Sequence, residues 1–311
     1  MEGRLKLGTR GSALALWQAN WTKSELEKRW SGLTVELVPI KTTGDKILDV
    51  PLAKIGGKGL FTKEIDEALL DGRIDLAVHS MKDVPFQLPG GIDFGAIPQR
   101  EDPRDAFISN GPKLQELRAG ATIGTSSLRR QVQLRHRFPA LNLVTLRGNV
   151  DTRLRRVSAG DFDGIILAVA GLKRLGHEQR VTQILDDDIM VSAVGQGALG
   201  IVCRSSDHPT REVLQVLDHA PSRIAVTAER GLLQALGGSC QVPIAGKANL
   251  VGDRLSIKGL IASLDGTRVV GHELSGAANR AFELGMELGA KLLAMGAGDI
   301  LAEIAQYGAE R

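Results

Sequence analysis

The sequence predicts an α/β fold for its first two thirds and an α+β region after it. Short apolar runs read as buried strands; each breaks into a loop rich in Gly, Ser and basic residues that opens a helix, in the order strand, helix, strand, helix, strand. From about Ala220 the texture changes to one helix, three short strands and a closing helix. A chain of 311 residues also exceeds what one hydrophobic core sustains, so two or three domains are expected.

Leu5–Gly8 is the first short strand, followed by T-R-G-S, with Ser12 placed to cap a helix from Ala13 to Trp30. Thr34–Thr42 is a β-branched strand. The lysine- and glycine-rich stretch Thr43–Gly59 leads into a helix from about Phe61 to Leu70. Leu76, Ala77 and Val78 form a buried strand that ends in H-S-M-K-D-V-P, which sets Asp83 just beyond a strand's carboxyl end, where open α/β sheets bind ligands. Taken alone, Asp83 could equally make an Asx-turn, and Lys82 could be a solvated charge.

The pattern repeats after Pro98. Thr122–Gly124 runs into Ser126 and Ser127 and a helix through L-R-R-Q-V-Q-L; Leu143–Leu146 runs into R-G-N and the helix T-R-L-R-R-V; Asp163–Ala170 is a third apolar run. Net charge is only +3, yet Arg129–Arg156 holds eight arginines against one acid, Asp151. Arginines at strand ends and helix starts favour an anion, because free backbone N–H groups and the helix dipole add to their charge. Arg129, Arg130, Arg147 and Arg153 have those positions, whereas Arg135, Arg137, Arg155 and Arg156 read singly as solvated helix faces.

Several functions are excluded. Gly195, Gly197 and Gly200 spell G-x-G-x-x-G, but Ile201–Cys203 after them reads as a strand, not the helix a dinucleotide site needs. The Lys58 loop fails as a P-loop, with Leu52 at the first glycine and Gly59 in place of Ser or Thr. Two cysteines make no disulfide framework; Cys203 reads as a core thiol and Cys240, in G-G-S-C-Q-V-P, as a loop residue with no neighbouring His or Cys for a metal. Aromatic residues make up 4% of the chain, too few for the stacking platforms of an RNA-binding module. Apolar runs are far shorter than a bilayer span and no signal-peptide core stands at the N-terminus, so the expected location is the cytoplasm.

Seven stretches together resemble the porphobilinogen deaminase family, also called hydroxymethylbilane synthases. They are G-T-R-G-S at Gly8–Ser12, L-A-K-I-G-G-K-G-L-F-T-K-E at Leu52–Glu64, A-V-H-S-M-K-D-V-P at Ala77–Pro85, R-E-D-P-R-D-A at Arg100–Ala106, G-T-S-S-L-R-R at Gly124–Arg130, L-R-G-N-V at Leu146–Val150 and C-Q-V-P-I at Cys240–Ile244.

The resemblance implies two α/β domains like those of type II solute-binding proteins with the active cleft between them, 1–98 plus about 198–217 and 99–197, and an α+β domain, 218–311. It implies a monomeric transferase that condenses four porphobilinogen molecules head to tail, with loss of ammonia, on a dipyrromethane primer held by a thioether to Cys240, and then hydrolyses the product to hydroxymethylbilane. Asp83 matches the catalytic carboxylate. Lys82, Ser126, Ser127, Arg129, Arg130 and Arg147 match cofactor-binding positions, and Arg10, Ser12, Arg147, Arg153 and, more weakly, Arg174 match substrate-binding positions. Lys54, Lys58 and Phe61 match the active-site loop. No metal and no nucleic acid are implied. Ala13 stands where the family usually has Pro, and Ser239 where it often has Gly; neither removes a reacting group. The alternative is a non-catalytic α/β cleft protein for a small anion, which keeps the arginines and gives no reason for Cys240.

Overall fold

The computed structural model describes residues 3–46, 62–238 and 242–309, and side chains throughout these except 45–46 and 307–309. The chain divides into two compact units, 1–101 with 198–224 and 102–197 with 225–311.

Numbering elements along the chain, the first unit contains β1 (Gly3–Thr9), α1 (Ala13–Arg29), β2 (Leu33–Pro39), α2 (Thr43–Lys46), α3 (Lys63–Leu70), β3 (Leu76–Ser80), β4 (Ile92–Ala96), β10 (Leu199–Arg204) and α7 (His208–Gln215). Its sheet order is β2-β1-β3-β10-β4. β1 pairs in parallel with β2 and β3, while β10 is antiparallel to both β3 and β4. The period-2 alternation of a strand divides β3 between two cores. Leu76 and Val78 join Leu7, Leu26, Ile201 and Cys203 under α1, and Ala77 joins Ile65, Leu69 and Val202 under α3. Ser12 caps α1 as expected, its Oγ accepting from the Ala15 N–H at 3.3 Å. Cys203 is buried, and burial pushes its thiol up to about 11, so it is a core residue.

The second unit holds β5 (Asp105–Ser109), β6 (Thr122–Gly124), α4 (Leu128–Arg137), β7 (Asn142–Val144), α5 (Val150–Ser158), β8 (Gly164–Ala168), α6 (Val169–Arg174) and β9 (Gln183–Leu185). The boundary between the units falls within α8 (Ala220–Ala235), after which come β11 (Ile244–Val251), β12 (Arg254–Ala262), β13 (Val269–Ala277), α9 (Ala281–Leu292) and α10 (Gly298–Ala309). The five-stranded sheet runs β7-β6-β8-β5-β9, with β6 parallel to β7 and β8 and β5 antiparallel to β8 and β9. The two sheets therefore share one plan: three parallel strands, then an antiparallel strand, then an edge strand. That plan is the type II solute-binding-protein arrangement. In each sheet the antiparallel strand is the first one laid down after the chain crosses between units, which is why the sheets are mixed and not purely parallel as the βαβ pattern suggests.

β11-β12-β13 is an antiparallel meander covered by α8 and α9. Several ties bind it to the rest of the second unit. The buried Glu229 carboxylate accepts from the Gly195 and Ala248 N–H groups at 2.6 and 2.8 Å. Lys247 pairs with Asp187 at 2.7 Å. Arg135 donates to the Leu264 carbonyl, so it is not the solvated residue its helix position suggested. The G-x-G-x-x-G stretch runs into β10 with no helix after it. Among the described residues no helix is long and apolar enough to cross a membrane.

Candidate functional site

In the first unit, β1 and β3 run in parallel, so their carboxyl ends share one edge of the sheet. Arg10 and Ser12 follow β1 there; Lys82 and Asp83 follow β3 in a single 3₁₀ turn, Met81–Asp83. The turn is fixed by its backbone: Met81 N–H donates to the Ala198 carbonyl at 3.0 Å and Val84 N–H to the Met81 carbonyl at 3.1 Å. From α1, Gln18 Nε2 donates to Ser80 Oγ at 2.8 Å and holds the strand end. Asp83 is half-buried, and among the described residues its carboxylate enters no hydrogen bond or ion pair. A carboxylate held on a rigid turn with no protein partner is available to a ligand.

In the second unit, the carboxyl ends of β6, β7 and β8 likewise share an edge. Ser126 and Ser127 lie between β6 and α4, Arg147 follows β7, Arg153 is in the first turn of α5, and Arg174 ends α6 after β8. Ser127 occupies the N-cap of α4 without making a side-chain cap, which leaves its hydroxyl available at that helix start. Ser126 is exposed. Ser12 uses its hydroxyl oxygen to cap α1 and keeps its O–H to donate.

Arg129 and Arg130 are buried, 5% and 6% exposed, and converge on one carboxylate, Asp105. Arg129 Nη1 donates to Asp105 Oδ2 at 2.7 Å and to the Val191 carbonyl at 2.7 Å. Arg130 donates to Asp105 Oδ1 through Nη2 at 2.7 Å and Nε at 3.0 Å, and to the Ile166 carbonyl through Nη1 at 2.9 Å. Gln196 Nε2 adds a 3.0 Å bond to Asp105 Oδ1. Burial pushes the Asp105 carboxyl up, but the two guanidinium charges overcome it and hold it well below the usual carboxylate range. Burial and Arg129 draw Arg130 down against the pull of Asp105.

Each guanidinium carries five N–H donors, so this clamp leaves part of both forks for another acceptor. Arg153 donates through Nε to the Gly148 carbonyl at 2.8 Å. Desolvation, then the charges of Arg130 and Arg147, bring it down to about 10. Arg174 donates to the Gly197 carbonyl at 2.7 Å and so steadies the loop before β10. Acids from outside the segment serve its arginines, Asp105 for Arg129 and Arg130 and Asp161 for Arg156, while Asp151 pairs with His177 at 2.8 Å.

Arg129 and Arg130 share the single carboxylate of Asp105, which leaves that pair one negative charge short, and Arg153 lies within reach of the Arg130 charge. A small group carrying several carboxylates fits that deficit. Cys240, Lys54, Lys58 and Phe61 lie outside the described residues. Among the described residues no cluster of His, Cys, Asp or Glu could hold a metal ion. Asp105 and Gln196 carried no role in the sequence reading. The signal for Asp105 lay in R-E-D-P-R-D-A, but nothing local connects it to arginines 24 and 25 residues away.

The shared strand plan, with charged side chains gathered where the parallel strands of each sheet end, defines a mixed α/β protein whose polar sites lie at the carboxyl ends of its strands. Comparison with known sequences makes this specific. Residues 5–212 match the family described as porphobilinogen deaminase, dipyromethane cofactor binding domain, and residues 223–294 match porphobilinogen deaminase, C-terminal domain. The chain is 56% identical over 303 residues to the porphobilinogen deaminase of Trichlorobacter lovleyi, covering 97% of each chain. It is also 56% identical to that of Geobacter sulfurreducens, covering 97% of this chain and 95% of the relative. Among solved structures it is similar to the methionine-binding protein MetQ, with a TM-score of 0.44 and 15% identity over 69% of this chain and 89% of that one. The strand order above, not this loose likeness, carries the fold. The chain belongs to the porphobilinogen deaminase family, transferases that carry a dipyrromethane cofactor.

Proposed function

We propose that Asp83 is the catalytic carboxylate of this porphobilinogen deaminase and that its arginines hold the acetate and propionate groups of cofactor and substrate. The observation that carries the reading is the Asp83 carboxylate, held on the turn after β3, which among the described residues enters no hydrogen bond or ion pair. The reaction joins four porphobilinogen molecules head to tail with release of ammonia and ends in hydrolysis to hydroxymethylbilane. When bound, the dipyrromethane supplies the pyrrole carbon to which the first unit is joined.

Asp83 accepts hydrogen bonds from pyrrole N–H groups and opposes the positive charge that develops on the ring as the amine leaves. One of its oxygens carries a proton to the departing amine or takes one from the coupled ring. Lys82, beside it, adds positive charge for the acetate and propionate groups. Arg129, Arg130 and Arg147, with Ser126 and Ser127, hold the cofactor; Arg10, Ser12, Arg153 and Arg174 serve the substrate. Bidentate guanidinium pairs suit these carboxylates because they fix orientation as well as charge. Lys54, Lys58 and Phe61 belong to the family's active-site loop, and Cys240 bears the cofactor. Residues 1–98 plus about 198–217, 99–197 and 218–311 act as three domains, bearing Asp83, the arginines and Cys240 respectively. The enzyme works as a cytoplasmic monomer without nucleic acid.

The test is the intact mass of the purified enzyme. It should exceed the polypeptide by one dipyrromethane, Cys240→Ser should have the bare polypeptide mass and no turnover, and a fully active enzyme at the bare mass would overturn the assignment.

A further inference from the structure

We infer that His79 is a further substrate-binding residue, whose Nε2–H donates to the same pyrrole carboxylate that Arg10 binds. The inference deepens the functional reading and rests on its assignment of Arg10 to substrate.

His79 lies next to last in β3, directly opposite Gly200 of β10. β1 and β3 pair Leu7 with Leu76 and Gly8 with Ala77, and continuing that register sets Arg10 beside His79 on the same face of the sheet. His79 is 7% exposed, and its Nε2 is buried with no hydrogen-bond partner among the described residues. Buried polar atoms are almost always satisfied, so a partnerless ring nitrogen at the strand edge that carries Arg10 and Asp83 marks a place for a ligand atom. The other side is apolar. Gly200 offers no side chain, and the space a Cβ would take there is filled by Phe94 Cε1 at 2.7 Å and Met81 Cε at 2.8 Å.

Burial and the Arg10 charge bring His79 down to about 4, so the ring is neutral at neutral pH. A neutral imidazole has one N–H to give. Beside an arginine the suitable recipient is an anion. A carboxylate has two oxygens: one takes the guanidinium and the other the Nε2–H, so one substituent of the substrate engages both residues.

The experiment uses the cofactor-loaded enzyme and porphobilinogen. His79→Leu should raise KM for porphobilinogen by about tenfold, the worth of one hydrogen bond to a charged group, with kcat changed far less. His79→Gln, which places an N–H near the Nε2 position, should restore most of the affinity. Equal KM for the two variants and the wild type would overturn the inference. The ¹⁵N signal of His79 in the unmutated enzyme gives a second readout if the leucine variant does not fold: it should move on addition of porphobilinogen, and an unmoved signal would overturn it equally. Asp83→Asn separates the two readings. If it abolishes turnover while the His79 signal stays fixed, only the histidine inference fails; if it leaves turnover intact, the site assignment itself fails.

Discussion

Arg130 Nη2 meets Asp105 Oδ1 at 2.7 Å with both side chains buried, and the same carboxylate holds Arg129 through its other oxygen. The pair thereby sets the direction of two arginines assigned to the cofactor, and Asp105 is a positioning residue without touching it.

Asp105→Asn leaves two buried guanidinium groups without their counter-charge. It should destabilise the protein by about 3–5 kcal/mol, measured by urea unfolding, and reduce cofactor loading in the intact mass. A further signature is pH. A carboxyl held below its unfolded value of about 3.9 adds stability that is present above that value and lost as pH falls through the folded one. The acid loss of stability below about pH 4 should therefore be shallower in Asp105→Asn than in the wild type, and identical acid limbs would remove Asp105 from this role.

Asp83→Asn keeps size and shape at a position with no partner to lose among the described residues. Stability should change by less than about 0.5 kcal/mol, while turnover falls by at least about 100-fold from the loss of charge stabilisation and proton transfer. The discriminating measurement is ammonia release per enzyme at saturating porphobilinogen; a rate within threefold of wild type, on the order of 0.6 kcal/mol, would take Asp83 out of the mechanism.

Gly285→Ala tests the packing that supports the C-terminal sheet. A Cβ there would lie 2.0 Å from the Ala228 carbonyl oxygen and 2.8 Å from the Leu232 nitrogen, so α9 cannot keep its approach to α8. The expected cost is about 1–3 kcal/mol, seen as a lower urea midpoint with unchanged KM in the folded fraction. An unchanged midpoint would mean that the helices separate freely.

What the sequence made legible follows from the range over which each signal acts. Ser12, with its oxygen three residues before the N–H it caps, and the alternation that divides Leu76 and Val78 from Ala77 are local, and both could be read from spacing. Arg129 and Arg130 were visible as arginines after a strand, but their carboxylate comes from β5, a strand that short D-A-F-I-S did not announce. Arg135 looked solvent-facing because its helix pattern carries no information about the hairpin carbonyl it meets. α10 escaped notice because Gly296, at φ 102°, interrupts the helical run just before it. Partner strands and counter-ions are chosen in three dimensions, whereas caps and alternation are chosen within a few residues.

β10 sits between β3 and β4 and bonds to both, yet it is separated from β4 by residues 97–198. A ribosome that has delivered the chain through Glu101 has supplied four of the five strands of that sheet and left a gap in its interior. The gap can be closed only after Arg204 has emerged, by which time all of 102–197 has left the exit tunnel ahead of it. The first unit to be started is therefore completed after β5–β9 have been made, and a truncated product ending before 199 leaves open the β3 and β4 edges that β10 bonds in the finished protein.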